Sequence, residues 1–221
     1  MQELRLRFAK QGRAIYTSHL DLVRGFGRAA RRAGIKVRHT QGFNPQPYFV
    51  FSPPISIGYA SLCEVCDLYV EEIRNPQEIA QQFDCALPEG LRVFHCGEPA
   101  DTIAQLATAA YDIDFQLSRK VTEDLLEEVC DFLRTDALIV EKKTKKKKQS
   151  IDIAPMLRTA QLTHIDECAI RISCKLYVTG EDALNPRYLS EAFKINVPQM
   201  SNAEVFYTRT GFYNESGDPF K

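Results

Sequence analysis

Apolar and polar positions alternate over short stretches of this chain and recur at helical spacing over others, and the order of the two patterns outlines the fold. Leu4, Leu6 and Phe8 alternate with Arg5 and Arg7 as a strand. Ser18-His19-Leu20-Asp21 has the form of a capping box with Asp in place of Glu/Gln, and opens a helix that ends near Gly34. Leu22, Phe26, Ala29, Ala30 and Ala33 make its apolar stripe, and Arg24, Arg28, Arg31 and Arg32 share another face. A short strand is expected at Ile35–Arg38, then a loop from Gln41 to Pro47 that its prolines keep from being helical. Tyr48–Ser52 and Glu64–Ile73 read as extended. Asn75-Pro76 starts a helix through Phe83, and Leu91–His95 is the next strand.

The second half repeats the plan. Tyr111, Ile113, Phe115 and Leu117 alternate with polar residues, Thr122–Leu133 is an amphipathic helix, and Ala137–Val140 is expected to be a strand. Ile170, Ile172, Cys174 and Leu176 alternate again, Asn185-Pro186 starts a helix, and Ala203–Thr208 is the last strand. The two Asn-Pro starts lie 110 positions apart. The expected class is therefore α+β, with two ferredoxin-like β-α-β-β-α-β units in tandem and mainly antiparallel sheets, residues 1–100 and 108–221.

Composition adds charge segregation to this picture. The formal net charge is -1, yet residues 1–48 hold ten Lys/Arg against two acids, whereas 49–135 hold sixteen acids against five bases. A local basic footprint can bind phosphates on a chain that is neutral overall. Seven irregularly spaced cysteines suggest no disulfide framework, and the first residues do not resemble a signal peptide. No apolar run is long enough to span a membrane, so a cytoplasmic location is expected.

The candidate chemistry is concentrated in the first fifth. Arg13, Arg24, Arg28, Arg31 and Arg32 are candidates for gripping phosphates, because clustered guanidiniums repel one another until a polyanion neutralises them. The competing reading is a solvated face paired with the acidic middle segment. Ser18 and Asp21 have a capping role, which leaves His19 either as a general-base candidate or as an RNA-contacting or structural residue. Gln41, Phe43 and Asn44 sit on a proline-stiffened loop, where Phe43 either stacks on a base or anchors the loop to the core. Lys142, Lys143, Lys145, Lys146, Lys147 and Lys148 form a tract suited to phosphate contact or to simple solubility. Cys63 and Cys66 lie three positions apart in an apparent strand and so point to opposite faces, and no metal or other cofactor is expected. Phosphate-binding loops, nucleophile elbows and HExxH are absent from the sequence.

Three separated runs carry a resemblance: Tyr16-Thr17-Ser18-His19-Leu20-Asp21-Leu22, Arg31-Arg32-Ala33-Gly34, and Gln41-Gly42-Phe43-Asn44-Pro45 through Pro54-Ile55-Ser56-Ile57-Gly58. They resemble the radical-SAM-associated domain family of unknown function, whose members sit beside, or fused behind, cobalamin-binding radical SAM proteins in bacteria. Glu64, Asp67, the segment leading into Ile151–Pro155 and Arg209-Thr210-Gly211 match more weakly. Gln46 stands where the family often has histidine. The architecture is similar, at the level of fold only, to tandem ferredoxin-like RNA-processing proteins of CRISPR systems. The chain lacks the three-cysteine cluster motif of a radical SAM enzyme. The resemblance thus implies an accessory whose partners are RNA and a radical SAM protein. The alternatives are a metal-independent endoribonuclease with His19 as general base and a protein–protein adaptor without RNA.

Overall fold

A computed structural model describes residues 1–143 and 148–221. The chain divides into two compact units, residues 1–106 with 218–221, and residues 107–217.

The first unit runs β1 (Gln2–Lys10), α1 (His19–Arg32), β2 (Phe49–Phe51), β3 (Ala60–Val70), α2 (Pro76–Ala86) and β4 (Leu91–Gly97). β1 lies between β4 and β3, β2 pairs with the far side of β3, and each of these pairings is antiparallel. The alternation along β1 sends Leu4, Leu6 and Phe8 to one face. There they join Leu22 and Phe26 of α1, Leu68 of β3, and Ile79 and Phe83 of α2 in one buried cluster. Phe26 is the hub, with ring centroids 4.8 Å from Phe8, 5.2 Å from Phe51 and 5.9 Å from Phe83.

The opposite face of β1 carries arginine, and one of these arginines is buried. Arg5 donates from Nε and from one terminal nitrogen to the two carboxylate oxygens of Asp67 at 2.7 and 2.8 Å. It also donates to the carbonyls of Asp101 and Lys221, and its guanidinium lies 4.6 Å from the Phe220 ring centroid. This bidentate, charge-assisted arrangement ties residues 218–221 into the first unit.

The second unit comprises β5 (Leu106–Gln116), α3 (Glu123–Leu133), β6 (Ile139–Lys143), β7 (Lys148–Asp152), α4 (Ala154–Arg158), β8 (Gln161–Asp166), β9 (Ala169–Tyr177), α5 (Arg187–Asn196) and β10 (Glu204–Asn214). Its main sheet has the order β10-β5-β9-β8, antiparallel at β5–β9 and β9–β8. Ile113, Phe115, Leu125, Val129, Ile172, Leu189 and Phe193 are buried within it, and Phe193 stacks edge-on against Phe115 and Phe132. Asn75 and Asn185 play equivalent parts, since each side-chain oxygen accepts from the backbone N–H two residues on, in Gln77 and in Arg187.

The α+β class and the mainly antiparallel pairing agree with the sequence pattern. Two elements do not. Ile35–Arg38 is not a strand but makes a single bridge, Val37 to Val70. The strand expected at Ala137–Val140 is present but runs Ile139–Lys143, as β6, and it pairs with β7 in a separate two-stranded sheet. The edge position in the main sheet goes to β8, whose sequence Gln-Leu-Thr-His-Ile-Asp is almost wholly exposed and lacks the apolar alternation of a half-buried strand.

Burial of three thiols makes stability depend on pH in the alkaline range. Burial pushes the Cys96 thiol from its ordinary 9.0 to about 12. Burial, assisted by Asp112, does the same to Cys174, and burial followed by Asp67 raises Cys66 well above 9.0. The folded state thus keeps these groups neutral while the unfolded chain ionises them near 9. Their contribution is complete below that value and is lost as pH rises towards 12. Thermal melts from pH 8 to 11 are expected to show a falling midpoint, with a shallower fall in a Cys96→Ala/Cys174→Ala variant.

Candidate functional site

Of the residues singled out in the sequence, those of the first unit lie along α1, at the turn before it and on the loop after it, whereas Arg209 and the lysine tract belong to the second unit. At the start of α1, Ser18 caps the helix by accepting from the Asp21 N–H at 3.2 Å, and its hydroxyl donates to Asp21 Oδ2 at 2.7 Å. His19 follows as the first helical residue, edge-on to the Phe51 ring with centroids 5.6 Å apart. It lines a pocket of about 10 Å³ together with Thr17, Lys10, Pro54, Ile55 and Glu64, which is room for one water-sized group. Among the residues lining this pocket with His19 are two buried ionisable side chains, Lys10 and Glu64. Lys10 is buried and donates to the Thr17 carbonyl at 3.0 Å. Glu64 is buried and accepts from Ser52 and Ser61 at 2.9 and 2.6 Å. Three stretches far apart in sequence thus meet here. No site role is expected for Lys10 from the sequence, because a lone lysine ending a strand has no local pattern, and Glu64 is marked there only as a weak family match.

The other end of α1 is shaped by Gly34. With φ +66° it ends the helix, and the Ile35 N–H reaches back to the Ala30 carbonyl at 2.9 Å, a Schellman closure that glycine makes accessible. The chain then turns into a narrow hairpin-like loop. Tyr48 N–H donates to the Arg38 carbonyl and Thr40 N–H to the Gln46 carbonyl, with a bridge between His39 and Pro47. Gln46 Nε2 donates to Asn44 Oδ1 at 3.1 Å across the tip. Gln41 and Phe43 are exposed at this tip, and Phe43 is 111% exposed, so it does not anchor the loop to the core. The loop bends back over the helix, where Pro47 would lie 3.4 Å from a Cβ placed on Gly27. Between helix and loop lies a groove of about 360 Å³, floored by Ala30, Ile35, Val37 and Pro47 and rimmed by Arg31, Lys36, His39 and Glu71.

The basic footprint is narrower than the charge count suggests. Arg24, Arg28 and Arg31 are exposed and follow the helical spacing of one face, and among the described residues their one ion pair is a loose 3.6 Å contact between Arg24 and Asp21. Arg13 is exposed on the turn before α1. Arg32 donates to the Ala86 carbonyl at the end of α2 at 2.5 Å, and Lys36 pairs with Glu72 at 2.8 Å. Arg38 lies 5.6 Å from the ring centroids of both Tyr48 and Tyr69. Arg5 and Lys10 are spent on buried contacts, as described above.

In the second unit Arg209 is 2% exposed, donates to the Tyr111 hydroxyl at 3.0 Å and packs on the Tyr111 and Phe212 rings. It is a packing residue and does not present its charge at the surface. Lys142 donates to the carbonyls of Glu181 and Ala183. Lys145, Lys146 and Lys147 lie outside the described residues. Cys66 and Cys96 both stand opposite Leu6 in the sheet and are buried, and all seven cysteines are free. Among the described residues no group of three or more His, Cys, Asp or Glu is arranged to hold a metal, and no helix is long and apolar enough to cross a membrane.

Residues 3–186 match the model of a family described as "Uncharacterized protein conserved in bacteria (DUF2344)". The chain belongs to this family. No curated protein matches the sequence. Among solved structures it is similar to the crystal structure of an unknown protein from Galdieria sulphuraria, at 12% identity over 94% of this chain and 98% of that one, with a TM-score of 0.28. The family match takes in both ends of α1, the loop and β3, and stops at Pro186, before α5 and the buried Arg209.

Proposed function

We propose that this protein is a non-catalytic RNA-binding adaptor that presents an RNA to a radical SAM enzyme in the cytoplasm, and that its RNA surface is α1 with the loop from Arg38 to Tyr48. The supporting observation is the pairing of an exposed guanidinium row, Arg24, Arg28 and Arg31, with a fully exposed phenylalanine on an adjoining stiffened loop. Guanidiniums take phosphates, and an aromatic that buries nothing in its own fold offers a stacking face to an unpaired base. The radical SAM partner is supported by the resemblance of the motif block within residues 16–58. The strand orders β4-β1-β3-β2 and β10-β5-β9-β8 support a ferredoxin-like plan in each unit, a plan shared by many RNA-binding proteins.

Fluorescence anisotropy with a short single-stranded RNA tests the assignment of Phe43. Phe43→Ala is expected to weaken binding by roughly 5- to 100-fold, the worth of one stacked base, while leaving the salt dependence unchanged. Equal binding by the variant would remove Phe43 from the surface.

A nuclease reading takes its support from His19 at the mouth of the Lys10–Glu64 pocket. Incubation with small cellular RNAs in EDTA separates the two. The adaptor predicts intact RNA, whereas cleavage that disappears in His19→Ala would replace the adaptor with an endoribonuclease. An adaptor that docks on an acidic protein alone predicts partner capture that nuclease treatment does not change.

A further inference from the structure

We infer that the groove between the C-terminal half of α1 and the 38–48 loop is a pocket for one unpaired nucleotide, its base in the groove and its phosphate on Arg31. This rests on the RNA reading and gives it a specific point of attachment. The groove has the size of a small-ligand site, which is typically roughly 300–1,000 Å³, at about 360 Å³. Its floor is apolar and built from short side chains, Ala30, Ile35, Val37 and Pro47. A flat aromatic base loses little by leaving water for such a floor, whereas a phosphate would lose its hydration without a donor to replace it.

The charges on the rim fix the orientation. Glu71 is the carboxylate among the lining residues, and it repels a phosphate while accepting from the amino or imino edge of a base. Arg31 stands on the helix side of the rim, continuous with Arg24 and Arg28. A strand whose phosphates follow this row therefore passes the groove with a base free to turn into it. Gly27 sets the width: a Cβ there already meets Pro47 at 3.4 Å, so a larger side chain fills the space between helix and loop.

The experiment titrates the full chain with adenosine and AMP by calorimetry and, in parallel, with a labelled single-stranded RNA by anisotropy. The wild type is expected to bind AMP saturably and more tightly than adenosine. Arg31→Ala, an exposed helix position, is expected to erase that preference. Gly27→Leu, checked for folding by circular dichroism, is expected to weaken both AMP and RNA roughly tenfold or more, as loss of one base site implies. If Gly27→Leu does not fold, the Arg31→Ala comparison decides. RNA binding without AMP binding, or an AMP preference unmoved by Arg31→Ala, overturns the nucleotide pocket and leaves the RNA reading standing. Absence of RNA binding in the wild type overturns the reading itself.

Discussion

Replacing Asp67 with alanine will destabilise the first unit by about 3–5 kcal/mol, because it leaves the Arg5 guanidinium buried without its counter-charge. Arg5 and Asp67 side chains are 3% and 10% exposed and meet through two bonds below 3 Å. The carbonyls of Asp101 and Lys221 would still accept from Arg5, but neutral acceptors do not offset a buried charge. Removing both members, as Arg5→Met with Asp67→Leu, is expected to cost far less than either single change. Denaturant melts of the two single variants and the double variant measure the coupling.

Reversal of the guanidinium row gives the second large effect. Arg24→Glu, Arg28→Glu and Arg31→Glu together are expected to lower affinity for single-stranded RNA by on the order of 100-fold near 0.1 M salt. Each phosphate contact on a single strand contributes about 0.7 to the slope of log affinity against log salt, so three lost contacts remove about 2. Folding should be unchanged, since all three side chains are exposed and only Arg24 has even a loose ion pair among the described residues. An equal loss of stability would instead show that the row is needed for the fold.

Most of the first unit was legible from periodicity, for a physical reason. Leu4, Leu6 and Phe8 must face one layer, and the stripe of α1 from Leu22 to Ala30 must meet it, so local pattern and burial agree. Ser18 as a cap and Asn75-Pro76 as a helix start were legible because capping is a contact over two or three residues. Partners 50 or more residues apart were not. Nothing local to Arg5 distinguishes it from Arg24, yet one is buried on Asp67 and the other lies in water. Arg209 likewise is buried against Tyr111, 98 residues away. β8 was missed because an exposed edge strand needs no apolar alternation, and β6 was misplaced because its apolar residues pair locally with β7.

The candidate surface was partly legible. Helical spacing alone placed Arg24, Arg28 and Arg31 together, and the prolines of the loop implied a stiff projection. The alternatives for Phe43, base stacking or core anchor, differ in burial, which only three-dimensional placement reveals. The groove was not legible, because it exists only where the turn at Gly34 brings Pro47 over Gly27. Its lining comes from α1, from the stretch after it and from Glu71, just past the end of β3.

Phosphate gripping by α1 is tested most directly by a salt series of RNA binding, comparing wild type with the Arg24→Glu/Arg28→Glu/Arg31→Glu variant on one single-stranded RNA. An α1 that grips RNA phosphates gives a steep linear fall of log affinity with log salt in the wild type, and a slope shallower by about 2 in the variant. Parallel lines for the two proteins, or no binding by either, would contradict that role and turn the search to a protein partner.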